Sequence, residues 1–509
     1  MLVTTLVRLL FPTCLSPNQR NQPRDGKDKN LLRQVFCWLS IHMQNEDIKS
    51  WKIRVLDTKS ESFCGAKWFN STIWLRPGRT ASCHHNPGHN IDLEEIKTNP
   101  SAIHNTAIKK EERRMMQRGE KPLNCQYCWT YEELHPDNLG DRVFLSKHSS
   151  EEDLQRAFDA PWDEDIDLDY IEVAFDRTCQ MACSYCWPGA STTWVKDLKK
   201  NGPYVNLPTD IRNHHSHVSY DDDGFDYGSD NPYINAFFKW WDQSLHKSIK
   251  TFKITGGEPF MSGYLWDFFD MLVEGRFKTD AKISICTNLG IPTEKVQKFL
   301  DIVEKTGLNF EITTSGEAFG KKGTYVRDGL DWDTFVRNFE LIRNSPLIKN
   351  PIFIMGTVNA PAVDGFLGFL NWVKEQKEAA GSPGAVNYSI TPVRFPTYQN
   401  LFILPMELRQ QYSQEIRDYM DNPDNLKWFN EYDLVNINRF IHYVATAEVP
   451  HKEVKIGWDK DKDFDKENRT FDVDELSKDF KSFFTQFDQR RGNSFVETYP
   501  RLADWYNAI

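Results

Sequence analysis

From Asp169 onward the chain alternates between two hydrophobic periods. "DYIEVAFD" places Ile171, Val173 and Phe175 at every second position. "TFKITGGEP", "AKISICTNLG", "NFEITTSGE", "PIFIMGTVNA" and "AVNYSITPV" are strand-like as well, and each closes on Gly, Asn, Ser or Pro. Between them, residues 233–246, 262–277, 293–306, 331–345 and 363–377 carry apolar residues at helical spacing, with Thr293 and Asp331 as N-caps. Strands alternating with helices predict an α/β fold whose parallel sheet curls into a partial barrel over residues 169–395. Residues 396–509, with "MELRQQYSQEIRDYMDN" and "DVDELSKDFKSFFTQFD", predict a helical C-terminal extension. In such folds the loops at the strand C-terminal ends build the site, so chemistry is sought there.

Composition narrows the classes. At 509 residues the chain is expected to hold more than one domain. A net charge of −11 argues against a nucleic-acid partner, although the basic run "KKEERRMMQRGEK" (109–121) keeps an RNA-modifying alternative open. No apolar run is long enough to span a membrane. Residues 1–42 are basic and poor in acids; they are expected to be a disordered or non-native extension ahead of Met43, with a transit peptide as the alternative. Ten cysteines in short spacings, without the size of a secreted disulfide scaffold, suit metal binding in a reducing, cytoplasmic setting. The loop at 208–232 carries His214, His215 and His217, but a solvated or substrate-facing loop is preferred to a metal site, and its Asp221, Asp222 and Asp223 would favour a cationic substrate. "DKDKDFD" is rejected as a calcium loop, because Phe464 stands where the turn needs Gly and Thr470 where the bidentate Glu belongs.

The chemistry concentrates in "CQMACSYCW". Cys179, Cys183 and Cys186 form CxxxCxxC on the loop after the first strand of the repeat. A [4Fe–4S] cluster normally takes four thiolates, so three leave one iron open to a ligand. A zinc site completed from elsewhere is the competing structural assignment. The next strands end in Gly256, Gly257 and Glu258, then Thr287 and Asn288, then Ser315, with Arg327 beyond.

With Tyr185 ahead of the last cysteine and GGEP closing the following strand, residues 169–395 resemble the radical S-adenosylmethionine (SAM) superfamily. The resemblance implies a partial (β/α)6 barrel and an open [4Fe–4S] cluster on Cys179, Cys183 and Cys186. It implies that the amino and carboxylate groups of SAM bind the fourth iron. An electron, from a donor such as flavodoxin or ferredoxin, would then cleave SAM to a 5′-deoxyadenosyl radical that abstracts hydrogen from substrate. It further assigns Gly256, Gly257 and Glu258 to the SAM amino group, and Ser315 and Arg327 to the ribose and carboxylate. Tyr185, Thr287 and Asn288 are further cofactor-side candidates, and Asn359 a weaker one.

Upstream, Cys64 and Cys83 flank Gly78 as Cx13Gx4C, and Cys125 and Cys128 follow as CxxC among aromatic residues. Four thiolates close a zinc site or fully ligate a second [4Fe–4S] cluster, and His84 or His85 is available to replace one. The spacing resembles the twitch/SPASM auxiliary-cluster domains of radical SAM proteins. Here it precedes the barrel, over residues 43–150, instead of following it. The resemblance implies an auxiliary [4Fe–4S] cluster and favours a peptide or protein substrate. RNA or metabolite modification, and a non-catalytic zinc or Fe–S protein, are the alternatives.

Overall fold

The computed structural model describes residues 48–86, 88–135, 138–217, 230–278, 280–449 and 472–509. The extension at 1–42, the acidic triplet Asp221–Asp223 and the run at 459–465 lie outside the described residues. The chain divides into a unit ending at Phe63 and a unit Cys64–Ile509. The described part of the first is a helical segment over 48–57, in which Lys52 Nζ lies 2.8 Å from Asp57 Oδ2.

The larger unit is built on a nine-stranded sheet. Six of its strands are those of the repeat: β4 (Tyr170–Ala174), β6 (Thr251–Thr255), β7 (Lys282–Thr287), β8 (Asn309–Ser315), β10 (Ile352–Val358) and β11 (Val386–Pro392). They pair in parallel, each with the next in sequence. The helices between them are α4 (Pro232–Trp240), α5 (Gly263–Val273), α6 (Thr293–Thr306), α7 (Trp332–Arg343) and α8 (Val363–Ala379). Asp331 is the N-cap of α7, accepting from Thr334 N at 2.8 Å, whereas α6 is capped by Pro292 and Thr293 is its first residue.

Register explains the alternation. Val173, Ile254, Ile285 and Ile312 are successive partners across the sheet, as are Ile171, Phe252, Ile283 and Phe310. These two rows are buried, and their rings meet the helices: Phe252 stacks on Phe268 of α5 and Phe310 meets Phe299 of α6 edge-on. Each such side chain contributes roughly 1.5–3 kcal/mol of burial. The opposite face is polar: Glu172 and Lys253 lie 3.4 Å apart, and Lys282 and Glu311 3.1 Å apart. The two faces of the sheet thus differ, one apolar and packed under helices, the other carrying paired charges.

The sheet continues beyond the repeat. β1 (Asn70–Trp74) pairs in parallel with β4, and β2 (Arg79–Ala81) and β3 (His89–Asn90) follow in antiparallel. The upstream cysteine segment is therefore laid along the edge of the central sheet. Within it, α1 (Ala107–Gln117) turns Lys109 and Arg113 inward, each with 0% exposure. Two cations of the basic run are thus interior, which removes them from any contact with RNA phosphates.

The C-terminal region carries the helices α9 (Met406–Asp421), α10 (Glu431–Thr446) and α11 (Val473–Arg491). α10 borders the last strand, where buried Asp433 accepts from Tyr388 N at 2.7 Å and pairs with buried Lys377 at 2.6 Å. α11 does not stand apart as a cap. Its Phe483 packs against Trp194, Tyr204, His215 and Tyr398, and its Arg491 pairs with Asp328 at 2.7 Å.

Candidate functional site

The three-cysteine loop leaves the C-terminal end of β4 and runs into α3 (Thr192–Asn201), a helix that the sequence pattern did not mark. Ser191 caps that helix, and its hydroxyl also donates to Met181 O at 2.6 Å, closing the loop on itself. Cys183 is held on a short ladder, β5 (Ala182–Cys183) against β9 (Arg327–Asp328). Cys186 N donates to Cys183 O at 2.8 Å.

Each neighbouring strand end touches this loop. Glu258 N donates to Thr178 O at 2.6 Å, one residue before Cys179. Gly256 has φ +121°, in the region that favours glycine, and a Cβ there would stand 2.6 Å from Asp176 O. A Cβ on Gly257 would stand 2.4 Å from Thr178 O. The two glycines thus let the GGEP edge lie directly on the start of the cysteine loop.

The Glu258 carboxylate is buried and points inward. It accepts from Thr287 Oγ1 at 2.8 Å, Asn288 N at 2.6 Å and Phe260 N at 3.1 Å. Burial nonetheless pushes its pKa up to about 7 against these donors. Its side chain therefore brackets two strand ends and is engaged by protein donors. Asn288 continues the chain of contacts, with Nδ2 lying 3.9 Å from Cys179 Sγ. Cys179, Glu258, Thr287 and Asn288 are accordingly brought together.

A second group forms around Cys183. Arg327 is buried and forks onto Glu317, with Nε 2.9 Å from Oε1 and Nη2 2.6 Å from Oε2. Tyr185 Oη donates to the same carboxylate at 2.8 Å. The Nε and Nη2 donors of Arg327 are thus engaged by Glu317, and Tyr185 serves this ion pair. Ser315 ends β8 two residues before Glu317 and is half-buried. Asn359 is wholly buried. With Gln399 it grips Ser184, as Nδ2 donates to Ser184 Oγ at 3.0 Å and Gln399 Nε2 donates to Ser184 O at 2.8 Å. It holds the loop.

Glu317, Gln399 and His215 were not marked as site residues in the sequence. His215 is buried among Trp194, Tyr204 and Phe483. Its Nε2 meets Cys186 O at 2.8 Å and its Nδ1 meets Tyr398 Oη at 2.7 Å. Burial lowers its pKa to about 3, so the ring is neutral; it donates to the carbonyl and accepts from the phenol. His215, with both ring nitrogens engaged, is thus a prop for the cysteine loop.

Burial raises all three thiols, Cys179 to about 12 and Cys186 to about 11, and Cys183 well above its ordinary value. Such groups stay protonated until a metal displaces the proton. None of the eight described cysteines is in a disulfide.

The upstream four sit otherwise. Cys64 precedes a short helix (Ala66–Phe69), Cys83 follows β2, and Cys125 and Cys128 open α2 (Gln126–Leu134). Their side chains line one cavity with Met116, Trp129 and Leu145. Burial raises Cys64 to about 11 and Cys125 to about 12, opposed by the Lys67 cation. Lys67 is itself buried, with Nζ 2.5 Å from Glu112 Oε2. Such a cation suits a site whose thiols become thiolates. Among the described residues, the one group of three or more Cys, His, Asp or Glu donors within 4.8 Å of one another is His84, His85 and Asp141. Neither cysteine set is drawn that close. Tetrahedral zinc with Zn–S near 2.3 Å would put its sulfurs about 3.8 Å apart, whereas a four-iron cube holds its thiolates farther apart.

No protein-family model matches the chain. Over 155 residues it is 28% identical to a GTP 3′,8-cyclase of Aliarcobacter butzleri, a stretch covering 30% of this chain and 38% of that protein. The match thus spans little more than a third of the relative. Two crystal structures of Streptococcus suis SuiB, the second bound to S-adenosylmethionine, align over 62% and 70% of both chains at 13% and 11% identity. Their TM-score of 0.29 is too low to establish a common fold.

Proposed function

We propose that the chain is a radical SAM enzyme whose substrate is a peptide or protein side chain. The observation that carries the radical SAM reading is the loop of three free, half-buried cysteines at the end of β4, fixed from four sides. The donor set fits a [4Fe–4S] cluster with one open iron. When bound, that cluster and SAM supply a one-electron cleavage yielding methionine and a 5′-deoxyadenosyl radical able to take hydrogen from substrate.

The chain's own residues prepare the site. Glu258, Thr287 and Asn288 fix Cys179, the Arg327–Glu317–Tyr185 group fixes the strand bearing Cys183, and His215 fixes Cys186. Gly256 and Gly257 leave a backbone edge without side chains for the SAM amino group. Arg327 keeps Nη1 for the carboxylate, and Ser315 lies at a strand end for the ribose. Cys64, Cys83, Cys125 and Cys128 hold an auxiliary [4Fe–4S] cluster in a twitch/SPASM-like segment. A cytoplasmic flavodoxin or ferredoxin is the proposed electron donor. A nucleotide or other metabolite as substrate is the second reading, favoured by the similarity to a protein named for GTP.

The experiment is iron and sulfide per chain after anaerobic reconstitution. About eight irons, falling to about four in Cys179/Cys183/Cys186→Ala, is the expected result for two clusters. About four falling to none would leave only the open cluster. No iron in either protein would return the three cysteines to zinc.

A further inference from the structure

His84 and His85 are neighbours in sequence, yet both rings reach one carboxylate oxygen. His84 Nε2 lies 3.3 Å and His85 Nε2 2.5 Å from Asp141 Oδ2. Asp141 comes from a separate segment, the short helix Asp141–Ser146. The His85 ring is stacked on Tyr127 at 3.6 Å between centroids, which fixes its plane. Both histidines follow Cys83 directly, and His85 borders the four-cysteine cavity.

We propose that His84, His85 and Asp141 form a separate site for one divalent first-row transition ion, at the rim of that cavity. Two imidazoles and a carboxylate are a donor set for zinc, iron(II) and similar ions. An ion with bonds of about 2.0–2.2 Å to these atoms sets them about 3–3.5 Å apart. The His84 distance already falls in that range, and the His85 distance reaches it by opening less than about 1 Å. Three protein ligands leave coordination positions open to water or to a substrate oxygen. His84 faces solvent with 64% of its side chain exposed, so the ion exchanges freely. The site does not depend on what the cysteines hold.

The test is equilibrium dialysis of the reconstituted full chain against cobalt(II), with metal, iron and sulfide measured in the same samples. One cobalt per chain with visible d–d bands is expected. Asp141→Asn and His84→Gln each should weaken binding at least tenfold while iron and sulfide stay at the wild-type level. Because His84 is exposed, its substitution leaves folding intact. No saturable cobalt, or equal affinity in the variants, overturns the proposal. Loss of sulfide in His84→Gln also overturns it, by placing His84 on the cluster.

Discussion

Substituting Gly257 by Ala tests how the cysteine loop is positioned. The new Cβ would stand 2.4 Å from Thr178 O and 2.6 Å from Arg177 O. Ordinary van der Waals contact begins near 3.4 Å, so the GGEP edge and the loop must separate by 3.4 − 2.4 = 1.0 Å. Both obstacles are backbone, so no side-chain rotation relieves them. The separation stretches the 2.6 Å bond from Glu258 N to Thr178 O and carries Cys179 with it. Overpacking of this kind costs about 1–3 kcal/mol. The larger effect is on the site, because metal–ligand distances tolerate only about 0.2 Å. Gly257→Ala is expected to lose about four of about eight irons on reconstitution, with a fall of a few degrees in apo-protein melting temperature. Gly263→Ala is the control, since a Cβ there meets nothing within 4 Å. Full iron and sulfide in Gly257→Ala would refute the claim that the glycine edge sets Cys179.

Other expectations follow from the same contacts. Glu317→Ala leaves the Arg327 cation buried without its partner and should cost about 3–5 kcal/mol in denaturant unfolding, with Glu317→Gln intermediate; a loss below about 1 kcal/mol would show the pair to be idle. Gln399→Leu removes the side-chain donor to Ser184 O and one acceptor of Asn359 Nδ2 in the interior and should cost about 1–3 kcal/mol, and an unchanged unfolding midpoint would contradict the clamp. Glu258 is raised from 4.5 when unfolded to about 7 when folded, so the folded state holds its proton longer. Its contribution to apo-protein stability is therefore greatest below pH 4.5 and is lost as pH rises through about 7, by up to about 3 kcal/mol relative to Glu258→Gln; a pH-independent difference would contradict the shift.

The strands of the repeat were legible because one face of each packs on helices and the other stays polar, which writes a period of two into the sequence. β1 was not, because Asn70, Ser71, Thr72 and Ile73 are all buried and leave no alternation to read. The three cysteines were legible from spacing alone. The residues that hold them were not: Glu317 lies 10 positions from Arg327, and Gln399 lies 215 from Ser184. The run at 109–121 reads as a charged surface, yet the turn of α1 places Lys109 and Arg113 inside. His215 is conspicuous as one of a histidine cluster. Only the rings of Trp194, Tyr204 and Phe483 around it make it neutral and structural.

The most direct test of an open cluster site is SAM cleavage by the reconstituted protein under a low-potential reductant, with 5′-deoxyadenosine and methionine quantified. Release of both from wild type, and of neither from Cys183→Ala, is the expected result. A wild-type protein with full iron and sulfide that leaves SAM intact would contradict it.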